Sequence, residues 1–290
     1  MGIQRIIARL DIKGDNLVKG IHLEGLRVLG KPWSFAKYYY ENGADELFFQ
    51  DVVASLYGRN GLNEIVTQTA KEIFIPLTVG GGLRTIEDII DVFRHGADKV
   101  SLNSAAIKTP NLIEEAVRIF GSSNIVVTIE AIKQKNGKYL AYIDNGREHT
   151  GIEVVEWAKK VEQLGAGEIL VTSVDRDGTG LGFDIELNKS ITDNVNIPII
   201  AHGGASNVDH IESAFKEADV DAIALASILH YSAVQDIENV NQSEYQKEGN
   251  IDFIKKPRKF KNFGMESIES IKSSLSKKGI KCRGINKEVI

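Results

Sequence analysis

Ile75-Pro76-Leu77-Thr78-Val79-Gly80-Gly81-Gly82 returns 122 residues further on as Ile197-Pro198-Ile199-Ile200-Ala201-His202-Gly203-Gly204. The same offset lays Gly43-Ala44-Asp45-Glu46-Leu47 on Gly165-Ala166-Gly167-Glu168-Ile169. One residue out of phase, Asp98-Lys99-Val100-Ser101-Leu102-Asn103-Ser104 falls on Asp221-Ala222-Ile223-Ala224-Leu225-Ala226-Ser227. The chain is therefore two copies of one unit, and each copy holds a glycine turn followed by a strand that ends in small residues. A ligand bound across such a repeat should itself have two similar ends.

Short β-branched or apolar runs alternate with amphipathic stretches along the whole chain, the pattern of βα units around a parallel sheet. Eight strands are expected, at about 5–11, 46–51, 75–79, 98–103, 124–130, 168–173, 197–202 and 222–226. Helical spacing near 3.6 appears between them, as in Ile86, Ile89, Ile90 and Phe93, or Val154, Val155, Ala158, Val161 and Leu164. Thr85 stands ahead of Glu87-Asp88 as an N-cap, and Gly43, Gly96 and Gly165 close helices. Eight units with a two-fold repeat of four favour a closed (β/α)8 barrel over an open doubly wound sheet.

The expected organisation is one barrel over residues 1–290, with half-barrels at about 1–122 and 123–290. One segment breaks the rhythm: about 235–263 is polar and aperiodic and ends in Lys255-Lys256-Pro257-Arg258-Lys259-Phe260-Lys261. The last helix resumes near Glu266 to Lys278, so this insertion lies between strand 8 and helix 8, on the face where barrel active sites form. It reads either as a solvated loop or as a basic flap over an anionic substrate or partner.

With 290 residues, 42% of them hydrophobic, and a net charge of −5 of mixed sign, the chain has a sizeable core and no general basic field for nucleic acid. No apolar run is long enough to span a bilayer. The start runs straight into Arg5-Ile6-Ile7-Ala8-Arg9-Leu10-Asp11 without a signal segment, and there is a single cysteine, Cys282. A cytoplasmic protein without disulfides, metal site or cofactor is expected.

Glycines directly after a strand let backbone N–H groups approach an anion. Gly80 to Gly82 and Gly203-Gly204 both stand there, each followed one strand later by Asn103-Ser104 or Ala226-Ser227. One such pair reads as an ordinary turn; two in register read as phosphate cups facing each other across the barrel mouth. Asp11 ends strand 1 and Glu130 ends strand 5, at equivalent places in the two halves, where carboxylates project into the site and move protons.

Taken together, Leu10-Asp11 with Lys19-Gly20, Asp51-Val52-Val53-Ala54-Ser55, Val79-Gly80-Gly81-Gly82, Gly96-Ala97-Asp98-Lys99-Val100-Ser101-Leu102-Asn103, Gly165-Ala166-Gly167-Glu168-Ile169-Leu170 and Asp175-Arg176-Asp177-Gly178-Thr179 give a specific resemblance. The chain resembles the cyclase subunit of imidazole glycerol phosphate synthase across nearly its whole length outside the insertion. The resemblance implies that ammonia from a separate glutaminase subunit enters the barrel bottom, travels along the axis and attacks a bisphosphate at the top. It assigns one phosphate to Gly82, Asn103 and Ser104 and the other to Asp177, Gly178, Gly204, Ala226 and Ser227, with Lys19 in the first loop of the substrate site. It makes Arg5, Glu46, Lys99 and Glu168 the ammonia entrance and places Asp98 on the glutaminase-facing surface.

The upper site departs from the family's pattern. Glu130 stands where the family has a second catalytic aspartate, Arg9 replaces a small cysteine on the inward face of strand 1, Gln50 replaces an aliphatic residue, and His202 a small one. Four changes around one pocket, with the cups and entrance kept, favour a divergent paralogue that passes ammonia to another acceptor. Such relatives look like the accessory subunits that, with a glutaminase and a sugar amidotransferase, make an acetamidino group on a surface polysaccharide. The alternative is the ordinary cyclase of histidine biosynthesis, with Asp11 and Glu130 as its acid and base. The sister isomerase shares repeat and cups but needs no ammonia entrance, and a non-catalytic scaffold would leave both cups without anion.

Overall fold

The computed structural model describes residues 2–54, 62–237, 264 and 266–284. Twelve strands form one sheet: β1 (Arg5–Lys13), β2 (Asn16–Ile21), β3 (Glu24–Gly30), β4 (Glu46–Asp51), β5 (Leu77–Gly80), β6 (Lys99–Leu102), β7 (Ile125–Lys133), β8 (Tyr139–Ile143), β9 (Glu148–Glu153), β10 (Glu168–Ser173), β11 (Ile199–His202) and β12 (Ala222–Leu225). Eight of these, β1, β4, β5, β6, β7, β10, β11 and β12, pair in parallel, and β12 returns to β1 with Arg5 opposite Ala222. The sheet closes on itself, with helices between successive strands, as a (β/α)8 barrel.

Inward and outward residues alternate along every strand. Ile7, Phe48, Val126, Leu170, Ile200, Ala222 and Ala224 form a small apolar cluster inside the barrel. The larger core lies outside the strands, where Ile6, Ala8, Leu10, Leu47, Val79, Val100 and Ile129 meet the helices. The helix at Ile86–Arg94 begins as the sequence implies: Thr85 and Asp88 form a reciprocal capping box. Three aspartates pin strand starts to their neighbours: Asp45 accepts from the Ile6 N–H, Asp98 from that of Leu77 and Asp221 from that of Ile199.

Four strands went unread in the sequence. The β2–β3 hairpin follows β1 and the β8–β9 hairpin follows β7, so the two are counterparts in the repeat. Their turns correspond as well: His22 and Leu23 in one, Asp144 and Asn145 in the other, all four with positive φ between 53° and 62°. That is the turn form whose twist suits a two-residue hairpin connection. The tips touch over the barrel mouth, where the Asn145 amide donates to the Leu23 carbonyl at 2.9 Å.

The last helix, Ile268–Lys277, docks its Lys272 ammonium on Asp45 at 2.7 Å, both side chains buried. Most of the expected insertion at 235–263, including its basic end, lies outside the described residues. No helix among the described residues is long and apolar enough to cross a membrane.

Candidate active site

The repeat builds two glycine cups at the C-terminal ends of the strands. Gly81 and Gly82 follow β5, Gly203 and Gly204 follow β11, and all four have positive φ. A Cβ on Gly81 would lie 2.4 Å from the Asp51 carbonyl oxygen, and one on Gly203 would lie 2.7 Å from that of Ser173. Only glycine fits at either place, and the obstructing residues are themselves equivalent in the two halves.

The first cup opens into a cavity of about 110 Å³ whose wall includes Gly82, Asn103, Ser104, Glu130 and Asp144. The second, lined by Asp177, Gly178, Gly204, Ala226 and Ser227, is only about 10 Å³. All the residues expected at the cups are therefore gathered at two places. His202 also lines the second, and the Lys19 ammonium reaches both carboxylate oxygens of its Asp177, at 2.9 and 3.1 Å. Burial would raise the Asp177 carboxyl, but the charge and hydrogen bonds of Lys19 hold it below its ordinary range. Asp177 also accepts from the Leu23 N–H at 3.2 Å, so the β2–β3 hairpin is latched onto this cup.

Glu130 is part of the wall of the first cavity, and Asp11 shares the inward face of β1 with Ile7 and Arg9; both are buried. Burial pushes the Glu130 carboxyl up to about 7, against the bond it accepts from the Gly146 N–H at 2.7 Å. Asp11 has a buried partner: the Arg9 Nε lies 2.9 Å from its Oδ1. Arg9 is 1% exposed and reaches from β1 to the Thr172 hydroxyl on β10, at 3.0 Å, with its guanidinium carbon 5.8 Å from the Phe48 ring centre. The side chain thus crosses the interior and covers the apolar cluster beneath the pocket. His202 donates from Nδ1 to the Ala224 carbonyl at 3.0 Å, and burial takes it down to about 4, so it stands neutral. Its Nε2 has no hydrogen-bond partner.

At the opposite end of the barrel Arg5, Glu46, Lys99 and Glu168 meet as one ring of alternating charge. Arg5 lies 2.6 Å from Glu46 and 2.7 Å from Glu168, and Lys99 lies 3.0 Å from each of the same two carboxylates. Beside the ring a surface hollow of about 650 Å³ is lined by Phe74, Asp98 and Lys99. Phe74 is 83% exposed, a large apolar side chain that sequence reading did not single out. Asp98 is exposed, while its carboxylate also holds β5. Among the described residues no cluster of histidine, cysteine and carboxylate side chains is arranged to hold a metal ion.

Three residues of the upper site were not legible in the sequence. Asp144, Asn145 and Gly146 belong to the unread β8–β9 turn, and only the hairpin geometry brings the first two to the wall of the first cup and the Gly146 N–H to Glu130. A polar Asp-Asn-Gly run between alternating segments was the signal available.

Comparison with known proteins agrees with this geometry. A family model described as histidine biosynthesis protein matches residues 5–235. Three curated relatives are each named imidazole glycerol phosphate synthase subunit HisF. That of Legionella pneumophila is 56% identical over 205 residues, covering 71% of this chain and 97% of the relative. That of Alkaliphilus metalliredigens is 46% identical over 243 residues, 84% and 96% of the two chains. That of Methanococcus maripaludis is 49% identical over 248 residues, 79% and 91%. Barrel, paired cups and charged ring, joined to this likeness over nearly the full length of each relative, place the chain in the histidine biosynthesis protein family, among the HisF subunits of imidazole glycerol phosphate synthase.

Proposed function

We propose that this chain is the ammonia-accepting cyclase subunit of an imidazole glycerol phosphate synthase and works with a glutaminase seated at the barrel bottom. The observation that carries the reading is the polarity of the barrel: a closed ring of four charges at one end, two glycine cups and two buried carboxylates at the other. In this reading ammonia passes the ring formed by Arg5, Glu46, Lys99 and Glu168 and meets a ligand held by its two phosphates. The first phosphate sits at Gly82, Asn103 and Ser104, and the second at Asp177, Gly178, Gly204, Ala226 and Ser227. The second cup must widen to admit it, and the Lys19–Asp177 latch is what has to give. Asp11 and Glu130 then move protons from opposite sides, Glu130 from near neutrality, where a general acid or base is most effective. The glutaminase sits against Asp98 and Phe74.

The comparisons favour this cyclase over the expected polysaccharide paralogue, since the family model and all three relatives carry histidine-pathway names. One observation supports the second reading, an ammonia-delivering subunit with another acceptor and a sugar amidotransferase as third partner. It is the buried Arg9, which ties up one oxygen of Asp11 and crosses the interior on the way to the pocket.

The test is turnover of the histidine-pathway bisphosphate with ammonium salts, for the parent chain and for Glu130→Asp. Turnover at an ordinary enzymatic rate, retained in Glu130→Asp, supports the cyclase. Parent and variant both inactive, with phosphate still bound, move the assignment to the second reading.

A further inference from the structure

The first cup already holds an anion of its own. Asp144 sits in its wall, where the Ser104 hydroxyl donates to Asp144 Oδ1 at 3.2 Å and accepts from the Asp144 N–H at 3.1 Å. The Lys108 ammonium lies 3.6 Å from the other carboxylate oxygen. A serine hydroxyl and a lysine ammonium are groups an incoming phosphate uses, and here a carboxylate engages both. The segment is held in an uncommon shape, since Asp144 and Asn145 are successive non-glycine residues with φ of 54° and 62°. Two residues on, the Gly146 N–H donates to Glu130 at 2.7 Å.

We infer that Asp144 is an internal competitor for phosphate at the first cup, and that its displacement by the ligand draws the Asp144–Gly146 turn away from Glu130. Lys108, freed of Asp144, then becomes a phosphate contact. The cup's occupancy is thereby reported to the carboxyl that is to move protons: an empty cup keeps Glu130 bonded to Gly146, and a filled one releases it. Asp144 and Lys108 are positioning and specificity residues in this scheme. The inference rests on the proposed reading of the first cup as a phosphate site.

Calorimetric titration of the full chain with inorganic phosphate tests it, with Asp144→Asn, Lys108→Ala and Ser104→Ala beside the parent. Like charges within about 4–6 Å shift ionic equilibria by on the order of tenfold or more, so Asp144→Asn is expected to bind phosphate roughly tenfold tighter. Lys108→Ala and Ser104→Ala are expected to bind it more weakly. In the parent, saturating phosphate should also speed hydrogen–deuterium exchange of the Gly146 amide by about tenfold, as its bond to Glu130 opens. Parent and Asp144→Asn binding with equal affinity overturns the competition, and unchanged or slower Gly146 exchange overturns the link to Glu130. If no variant alters phosphate binding because none occurs, the reading of the cup fails, and the inference with it. A fall in affinity on Asp144→Asn would show the carboxylate to be a support of the cup and would equally overturn it.

Discussion

Replacing Arg9 by methionine should be among the most damaging single changes in the barrel. Its guanidinium and the Asp11 carboxylate lie 2.9 Å apart and are 1% and 2% exposed. At an effective dielectric of about 20 their gross attraction is about 6 kcal/mol, most of it offset by the cost of taking both charges out of water. Removing one partner keeps the desolvation cost of the other, so Arg9→Met is expected to destabilise by about 3–5 kcal/mol. Loss of the bond to Thr172 adds about 1 kcal/mol. The double variant Arg9→Met/Asp11→Asn leaves neither charge and should regain most of that loss. Equilibrium urea unfolding of the parent, both single variants and the double variant gives the coupling directly. If Arg9→Met costs under about 1 kcal/mol, or the two single losses simply add in the double variant, the pair is not what holds these side chains and the reasoning is refuted.

The ring at the barrel bottom should behave similarly on a smaller scale: Lys99→Met leaves two carboxylates facing Arg5 alone and should lower stability by roughly 2 kcal/mol, read in the same urea experiment. Thr85→Ala removes one arm of the capping box and should cost about 1 kcal/mol; no change would mean that the exposed box is solvated in the parent. Burial raises Glu130 from 4.5 to about 7, so the folded chain holds its proton more tightly than the unfolded one. Its contribution is whole below pH 4.5 and is lost as pH rises through 7. Glu130→Gln should therefore gain on the parent by about 3 kcal/mol between those limits, and parallel stability profiles would contradict the assignment. His202 has the opposite sign, being lowered from 6.5 to about 4, so stability is lost as pH falls through that window. His202→Asn should flatten the acid limb, measured as the urea midpoint against pH.

The sequence showed the barrel because its evidence is periodic and repeated: eight strands, the Thr85 cap and the paired glycines all obey local rules, and each stands within a few residues of where it was expected. The hairpins were illegible for the same reason. His22-Leu23 is no usual turn pair, and its shape is set from outside, by bonds from the His22 and Leu23 N–H groups to Asp177. Site residues at strand ends could be placed from the strand pattern alone. What they touch could not: that Arg9 reaches Thr172, that Lys19 closes on Asp177 and that Asp144 takes the Ser104 hydroxyl depend on contacts between residues far apart in the chain. The small second cup belongs here too, since glycines predict an opening and only packing shows its size.

The twin hairpin turns hold one backbone shape by different means. Asp144-Asn145 has side chains that tolerate a left-handed backbone, whereas Leu23 does not and holds its φ of 60° at a cost of about 1–2 kcal/mol. Tertiary bonds from the His22 and Leu23 N–H groups to Asp177 sustain this shape. The first arm over the mouth is thus the more dependent one: sever its attachment to Asp177 and Leu23 has no local preference that returns it to place.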